Sequence, residues 1–140
     1  IIFALFLVVL VLVDALPGME LLALIPVLGI TVWFAIALGV VLGILNVFFR
    51  DVGHFFGVVL QFWFWLTPII YPASILPERA QALLFFNPLA HCVQAAQVVI
   101  VNHSWPSWSA LLGVALLSLL LSLLAVRLYL QHGADMQDEL

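Results

Sequence analysis

The stretch NVFFRDVGHFFGVVLQFWFWLTPIIYPASILPERAQALLFFNP, residues 46–88, decides how this chain is to be read. It joins an Arg50-Asp51 pair, a block of aromatics in the second half of the apolar run 55–70, and a proline-rich apolar stretch announced by Pro68 and Pro72. An anchor helix needs none of these. A membrane domain that must leave a path through itself needs all three.

The surrounding composition says which solvent that stretch meets. Apolar residues make up 67% of the 140 residues, mean hydropathy is +1.35, and there are only three basic and seven acidic residues. A soluble domain of this size cannot bury so much apolar surface, so the solvent is lipid. A net charge of −4 argues against nucleic acid, which calls for clustered Lys and Arg. The single Cys92 excludes a disulfide framework within the chain and leaves no Cys-based metal site. The four His lie far apart, and no apolar run holds a carboxylate pair or a Ser-His-Asp set, so no catalytic residue and no metal ligand is assigned. The opening run 1–13 lacks the basic start and small-residue cleavage site of a signal peptide. Starting inside an apolar run without an initiator Met, the chain is expected to be the C-terminal part of a longer protein.

A helix needs about 20 apolar residues to cross the ~30 Å hydrocarbon layer. Residues 1–13 read as the end of a span, 14–20 as a turn punctuated by Pro17-Gly18, and 21–49 as a long span that tilts or bends at Pro26. Arg50-Asp51 interrupts the pattern, 55–70 is the next span, and 111–130 is the last, followed by a polar tail 131–140. Between them lie two apolar pieces, 76–86 and 89–101, split by Asn87-Pro88. Neither reaches spanning length, so 71–108 is expected to form a re-entrant hairpin. Parity agrees: with no crossing there, Arg50 and Arg127 fall on one side, as the positive-inside tendency prefers. That side, with the C-terminus, is expected to be cytoplasmic, and Trp105 and Trp108 mark the opposite interface. The predicted fold is an all-α, polytopic integral membrane domain occupying residues 1–140.

Local patterns suggest contacts. Ala35, Gly39 and Gly43 recur every four residues, as do Gly53 and Gly57; such stripes let helices approach closely in lipid, here either within the chain, the favoured reading, or in a dimer. Phe62, Trp63, Phe64 and Trp65 spread around almost the whole circumference of a helix, so some face lipid or a neighbour while others are free to line a path. Arg50-Asp51 is either a snorkelling Arg with a local ion pair or a contact that receives force from a partner. His91, Gln94 and Gln97 share one helical face, which must meet water, protein or a translocation path. Pro77-Glu78 suits a helix's first turn. Asn102-His103-Ser104 matches a glycosylation sequon, a short and weak motif.

The strings N-x-F-F-R-D-V (46–52), T-P-I-I-Y-P (67–72), I-L-P-E (75–78) and F-N-P-L (86–89) resemble the permease subunits of ABC-2 type exporters, above all those that move O-antigen, teichoic-acid or capsular polysaccharide. The closing Asp138-Glu139-Leu140 is similar to the end of such permeases. The resemblance implies a subunit of six transmembrane helices in the bacterial cytoplasmic membrane, with the last four present here. It implies a homodimer working with two ABC ATPase subunits, which carry the ATP and Mg, so that this chain needs no cofactor. It implies that 71–108 guards the exit, with Thr67, Pro68, Pro72, Pro77, Asn87 and Pro88 shaping that hairpin. Phe62, Trp63, Trp65 and Tyr71 become the residues that guide a lipid-linked glycan, and Arg50 and Asp51 those that couple to the ATPase. Gln94 stands where members of that family often carry an acid. Two rival readings remain: an ABC-2 permease for a smaller drug or lipid, and a membrane enzyme acting on lipid-linked sugars, whose acids at the outer face (Asp14, Glu20, Glu78) are scattered.

Overall fold

The computed structural model describes residues 18–69, 77, 81 and 84–138. Among them every regular element is helical: a 3₁₀ turn Met19–Ala23, then α1 (Leu24–Phe48), α2 (Asp51–Leu66), α3 (Pro88–Val101) and α4 (Trp108–Asp138). Two stretches, Met19–Phe48 and Trp108–Gln131, are long and apolar enough to cross a membrane. The expected partial span 1–13 and the piece 76–86 fall wholly or largely outside the described residues.

α1 is the central post, packing along α4 and also touching α2 and α3, while α3 leans on α4. Its buried positions, Val27, Phe34, Ala37, Val41 and Ile44, recur at three- and four-residue steps, so one stripe faces the other helices. Val27 and Phe34 meet Cys92 and Ala95 of α3 and Leu111 and Val114 of α4 in the main core, and Trp63 of α2 packs against its edge. A smaller cluster joins Ala23 and Leu24 to Val99. The opposite faces carry Ile25, Val32, Ile36, Leu112, Leu116 and Leu120 outward, as helices bathed in lipid should.

Hydroxyls inside this apolar bundle are satisfied locally. Thr31, Ser118 and Ser122 each donate to the carbonyl four residues earlier, at 2.8 Å. Trp33 Nε1 donates to Ser122 Oγ at 3.1 Å and so pins α1 to α4. No buried side-chain nitrogen or oxygen among the described residues lacks a partner, which lipid demands because no water is at hand to supply one.

Several boundaries differ from the sequence reading, each for a local reason. Pro26 is the third residue of α1, where a backbone N–H has no intrahelical partner in any case, so the helix runs on through it to Phe48. Arg50-Asp51 does not end one helix four residues before the next begins: Arg50 is the N-cap of α2 and Asp51 its first residue. α2 stops at Leu66, short of the expected 70, because Thr67 precedes a proline and adopts an extended backbone (φ −97°, ψ 124°). At 16 residues it is about 24 Å long, less than the hydrocarbon layer. α4 runs on through the polar segment to Asp138 instead of ending at 130.

The small-residue stripe is also placed differently. Among the described residues, a Cβ added at Gly39, Gly43 or Gly57 meets nothing within 4 Å, and Ala35 is exposed. Among the described residues nothing packs closely on Gly39, Gly43 or Gly57, whereas Gly53 meets α1 through Asn46. Close approach uses other small residues, Ala37 on α1 and Ser118 and Ala125 on α4, all buried.

Candidate functional site

The two ends of α2 bring together most of the residues singled out from the sequence. At its start, α1 ends on Phe49 in an extended conformation (φ −129°, ψ 93°) and the chain turns at once into α2. Asn46, in the last turn of α1, reaches across and accepts a hydrogen bond from Gly53 N at 2.8 Å. Gly53 is the third residue of α2, so its N–H is one of those a helix start leaves unpaired. A Cβ on Gly53 would lie 2.9 Å from that Asn46 oxygen, so any larger residue there pushes the Asn46 side chain aside. A shallow cavity of about 300 Å³ lies along the same face, walled by Gly43, Asn46, Gly53, Phe56 and Gly57 among others. Arg50 and Asp51 are both exposed on the turn.

At the other end, the sequence Thr67-Pro68 stops α2 and Asn87-Pro88 starts α3. Asn87 takes an extended backbone (φ −92°, ψ 105°) and its side chain accepts from Leu89 N and Ala90 N at 3.1 and 3.3 Å, with Pro88 in the first helical position. This is an N-cap of the usual chemistry, but the same side chain does more. Its Oδ1 also accepts from Trp63 Nε1 at 2.8 Å, and its Nδ2 donates to Leu66 O at 3.3 Å and Thr67 Oγ1 at 3.2 Å. Thr67 Oγ1 in turn donates to Trp63 O at 2.9 Å. Further along α3, Gln97 Nε2 donates to Pro68 O at 2.9 Å. Thr67 thus satisfies Trp63 O and Phe64 O at the end of α2, while Leu66 O and, beyond the helix, Pro68 O find their donors on Asn87 and Gln97.

The aromatics divide by direction. Trp63 is half-buried and sits edge-on to Phe34 and Phe56, with centroids 6.4 and 6.3 Å away. Phe62 and Trp65 are exposed, 67% and 65%. A cavity of about 400 Å³ opens beside them, walled by Phe62, Trp63, Leu66, Leu84, Phe86 and Asn87 among others. Asn87 has no hydrogen-bonding capacity left, both N–H groups being used and Oδ1 accepting three times. A molecule entering this cavity would meet aromatic and aliphatic faces, the chemistry that stacks on sugar rings or packs on acyl chains.

Thr67, Pro68, Asn87 and Pro88 therefore converge, whereas Arg50 and Asp51 lie at the far end of α2. Pro77 is exposed; Tyr71 and Pro72 lie outside the described residues. Of the polar stripe on α3, His91 Nε2 is 2.8 Å from Phe85 O and Gln97 is bonded to Pro68, so two of its three members face protein. Among the described residues no group of three or more His, Cys, Asp or Glu gathers to hold a metal ion. Sequence reasoning did not find the bonding roles of Asn46, Asn87 and Gln97. For Asn87 a signal existed, since Asn-Pro before an apolar run marks a helix start. Nothing in the sequence points from Asn46 to Gly53 or from Gln97 to Pro68.

Comparison with known proteins places this geometry. The profile of a membrane-protein family described as ABC-2 type transporter matches residues 1–101. A protein of Myxococcus xanthus named O-antigen export system permease protein RfbA is 34% identical over 90 residues, which cover 63% of this chain and 35% of the relative. A protein of the same name from Klebsiella pneumoniae is 30% identical over 87 residues, 61% of this chain and 34% of the relative. The chain spans about a third of the length of these relatives.

Proposed function

The chain belongs to the ABC-2 type transporter family, a family of membrane permease domains, and from that premise we propose that it is part of the membrane-spanning subunit of an ABC exporter for a lipid-linked polysaccharide or polyol-phosphate polymer. One observation carries the cargo class: the similarity over 63% of the chain to a relative named as an O-antigen export permease. The wall of Phe62, Trp63 and Phe86 beside the end of α2 supports it, because flat aromatic faces suit a succession of sugar rings without selecting one.

In this reading two copies of the full subunit enclose the path, and a partner ATPase supplies the energy with ATP and Mg bound to it. The turn at Arg50-Asp51 faces the cytoplasm and takes up the displacement of the ATPase. α2 carries that displacement about 24 Å to its Pro68 end, where Phe62, Trp65 and Tyr71 border the exit and residues 71–108 close it as a re-entrant hairpin. The helices reorient while no bond of the cargo is made or broken in this subunit.

Purifying the full-length protein from its own membrane, and asking whether an ABC ATPase comes with it, tests the assembly. Restoring surface glycan to a strain that lacks the protein tests the cargo. A drug-resistance phenotype with intact surface glycan would move the cargo to small amphiphiles, and the absence of any ATPase would remove the export reading altogether.

A further inference from the structure

We infer that Asn87 is a positioning residue that, with Gln97, locks α3 to the Pro68 end of α2, so that the two move as one body and the seam that opens is the one between α3 and α4. The inference rests on the export reading only for its moving part; the lock itself is a property of the fold.

The two seams of α3 are built from different forces. Four hydrogen bonds cross to α2 and the residues just after it: Trp63 Nε1 to Asn87 Oδ1, Asn87 Nδ2 to Leu66 O and to Thr67 Oγ1, and Gln97 Nε2 to Pro68 O, all between 2.8 and 3.3 Å. These bonds are directional, and in a site poor in water a broken one finds no substitute partner. On the other side α3 shares an apolar cluster with α4, Cys92 and Ala95 with Leu111 and Val114. Apolar contacts between helices in lipid exchange for contacts with lipid tails at little cost. The α3–α4 seam is packed at Cys92, Ala95, Leu111 and Val114 and opens only at one end. There a surface cavity of about 510 Å³ is bordered by Pro88 and His91 in the first turn of α3 and by Ser109, Gly113 and Leu117 of α4. No Cβ fills Gly113, whose surroundings are empty within 4 Å. A displacement reaching the end of α2 therefore pulls α3 with it and widens the cavity at that end of the α3–α4 seam.

The consequence is readable as distances. In the full-length permease with its ATPase, reconstituted in lipid nanodiscs and carrying Cys92→Ala, spin labels at Leu60→Cys and Val101→Cys span α2 and α3. Labels at Val101→Cys and Leu116→Cys span α3 and α4. All three positions are exposed. Between the nucleotide-free and the ATP-trapped states the first distance is expected to hold and the second to shift. A change in the first, or none in the second, overturns the inference. Without nucleotide, Asn87→Ala is expected to broaden the first distance distribution. Should that variant fail to fold, Thr67→Val combined with Gln97→Leu removes two of the bonds across the seam while leaving the α3 cap intact, and is expected to broaden the same distribution. A distribution as narrow as wild type in the variants that fold overturns the lock. In the folded variants ATP hydrolysis is expected to persist while export is lost, a split that a general loss of structure does not produce. The nucleotide-free measurement needs no ATPase. A failure to find that partner thus counts against the export reading and leaves the lock to be judged by its own distances.

Discussion

At the Arg50 end of α2 a single side chain, Asn46, reaches over the turn to one backbone N–H. At the Pro68 end, Asn87 alone makes five hydrogen bonds and Gln97 adds another. The first end is exposed and bordered by Gly43 and Gly57, which leave open space beside the turn. The second is sealed by Trp63 against Phe34 and Phe56. One cross-turn bond holds the first end, and a network across the α2–α3 seam holds the second.

The sharpest way to break that contrast is to remove Asn87. Asn87→Ala deletes the α3 cap, leaves Trp63 Nε1 and Leu66 O without their partner, and takes from Thr67 Oγ1 one of its two hydrogen bonds. The loss of folding stability is expected to be about 3 kcal/mol, because each buried group left without a partner costs about 1–3 kcal/mol. Chemical or thermal unfolding of the full-length protein in detergent, followed by tryptophan fluorescence, measures it. A loss below about 1 kcal/mol would mean that water replaces the missing partners and that this end is no more tightly held than the other.

How much of the contrast could be seen beforehand depends on which force made each part. The helices and their order were legible because lipid selects long apolar runs, and 21–49 and 111–130 were found nearly as they are. Apolar periodicity is blind to their ends. The start of α2 at Asp51 and its stop at Leu66 are set by a turn and by the backbone restriction before Pro68. The aromatic block was rightly read as lacking a single stripe, since Trp63 turns inward while Phe62 and Trp65 turn out. The locking network was not legible because its partners are distant in sequence. Trp63 and Asn87 are 24 residues apart and Gln97 and Pro68 are 29 apart. The glycine spacing was informative only in part: it shows that a face is smooth without showing what lies against it, and among the described residues Gly53 meets Asn46 while Gly39, Gly43 and Gly57 meet nothing.

Asn46→Ala probes the looser end and is expected to cost about 1 kcal/mol, the usual value of a side chain that satisfies one N–H in a helix's first turn. The same unfolding measurement reads it. A loss equal to that of Asn87→Ala would erase the asymmetry. Gly57→Ala, on the open face beside the turn, is expected to leave folding stability unchanged or raise it by up to about 1 kcal/mol, through the better helix propensity of alanine. If instead it lowers the stability of the assembled protein, another helix is seated on that face, and the looser end is less free than it looks.

The smallest expected change in stability comes from Arg50→Ala and Asp51→Ala, and for that reason they say most about function. Asp51 lies in the first turn of α2, where the helix dipole favours a negative charge, so its removal is expected to cost about 0.5 kcal/mol. Arg50 sits at the same positive end, so its removal is expected to gain a few tenths of a kcal/mol at most. Both residues are exposed, and an ion pair between them contributes ~0–1 kcal/mol. Folding therefore has little use for either charge. If the turn is where the ATPase pushes, both variants will fold and bind the ATPase, and hydrolysis will continue while glycan export falls. Export at the wild-type level in both would leave α2 with a loose end that nothing pushes, and the place where force enters would have to be sought on another part of the subunit.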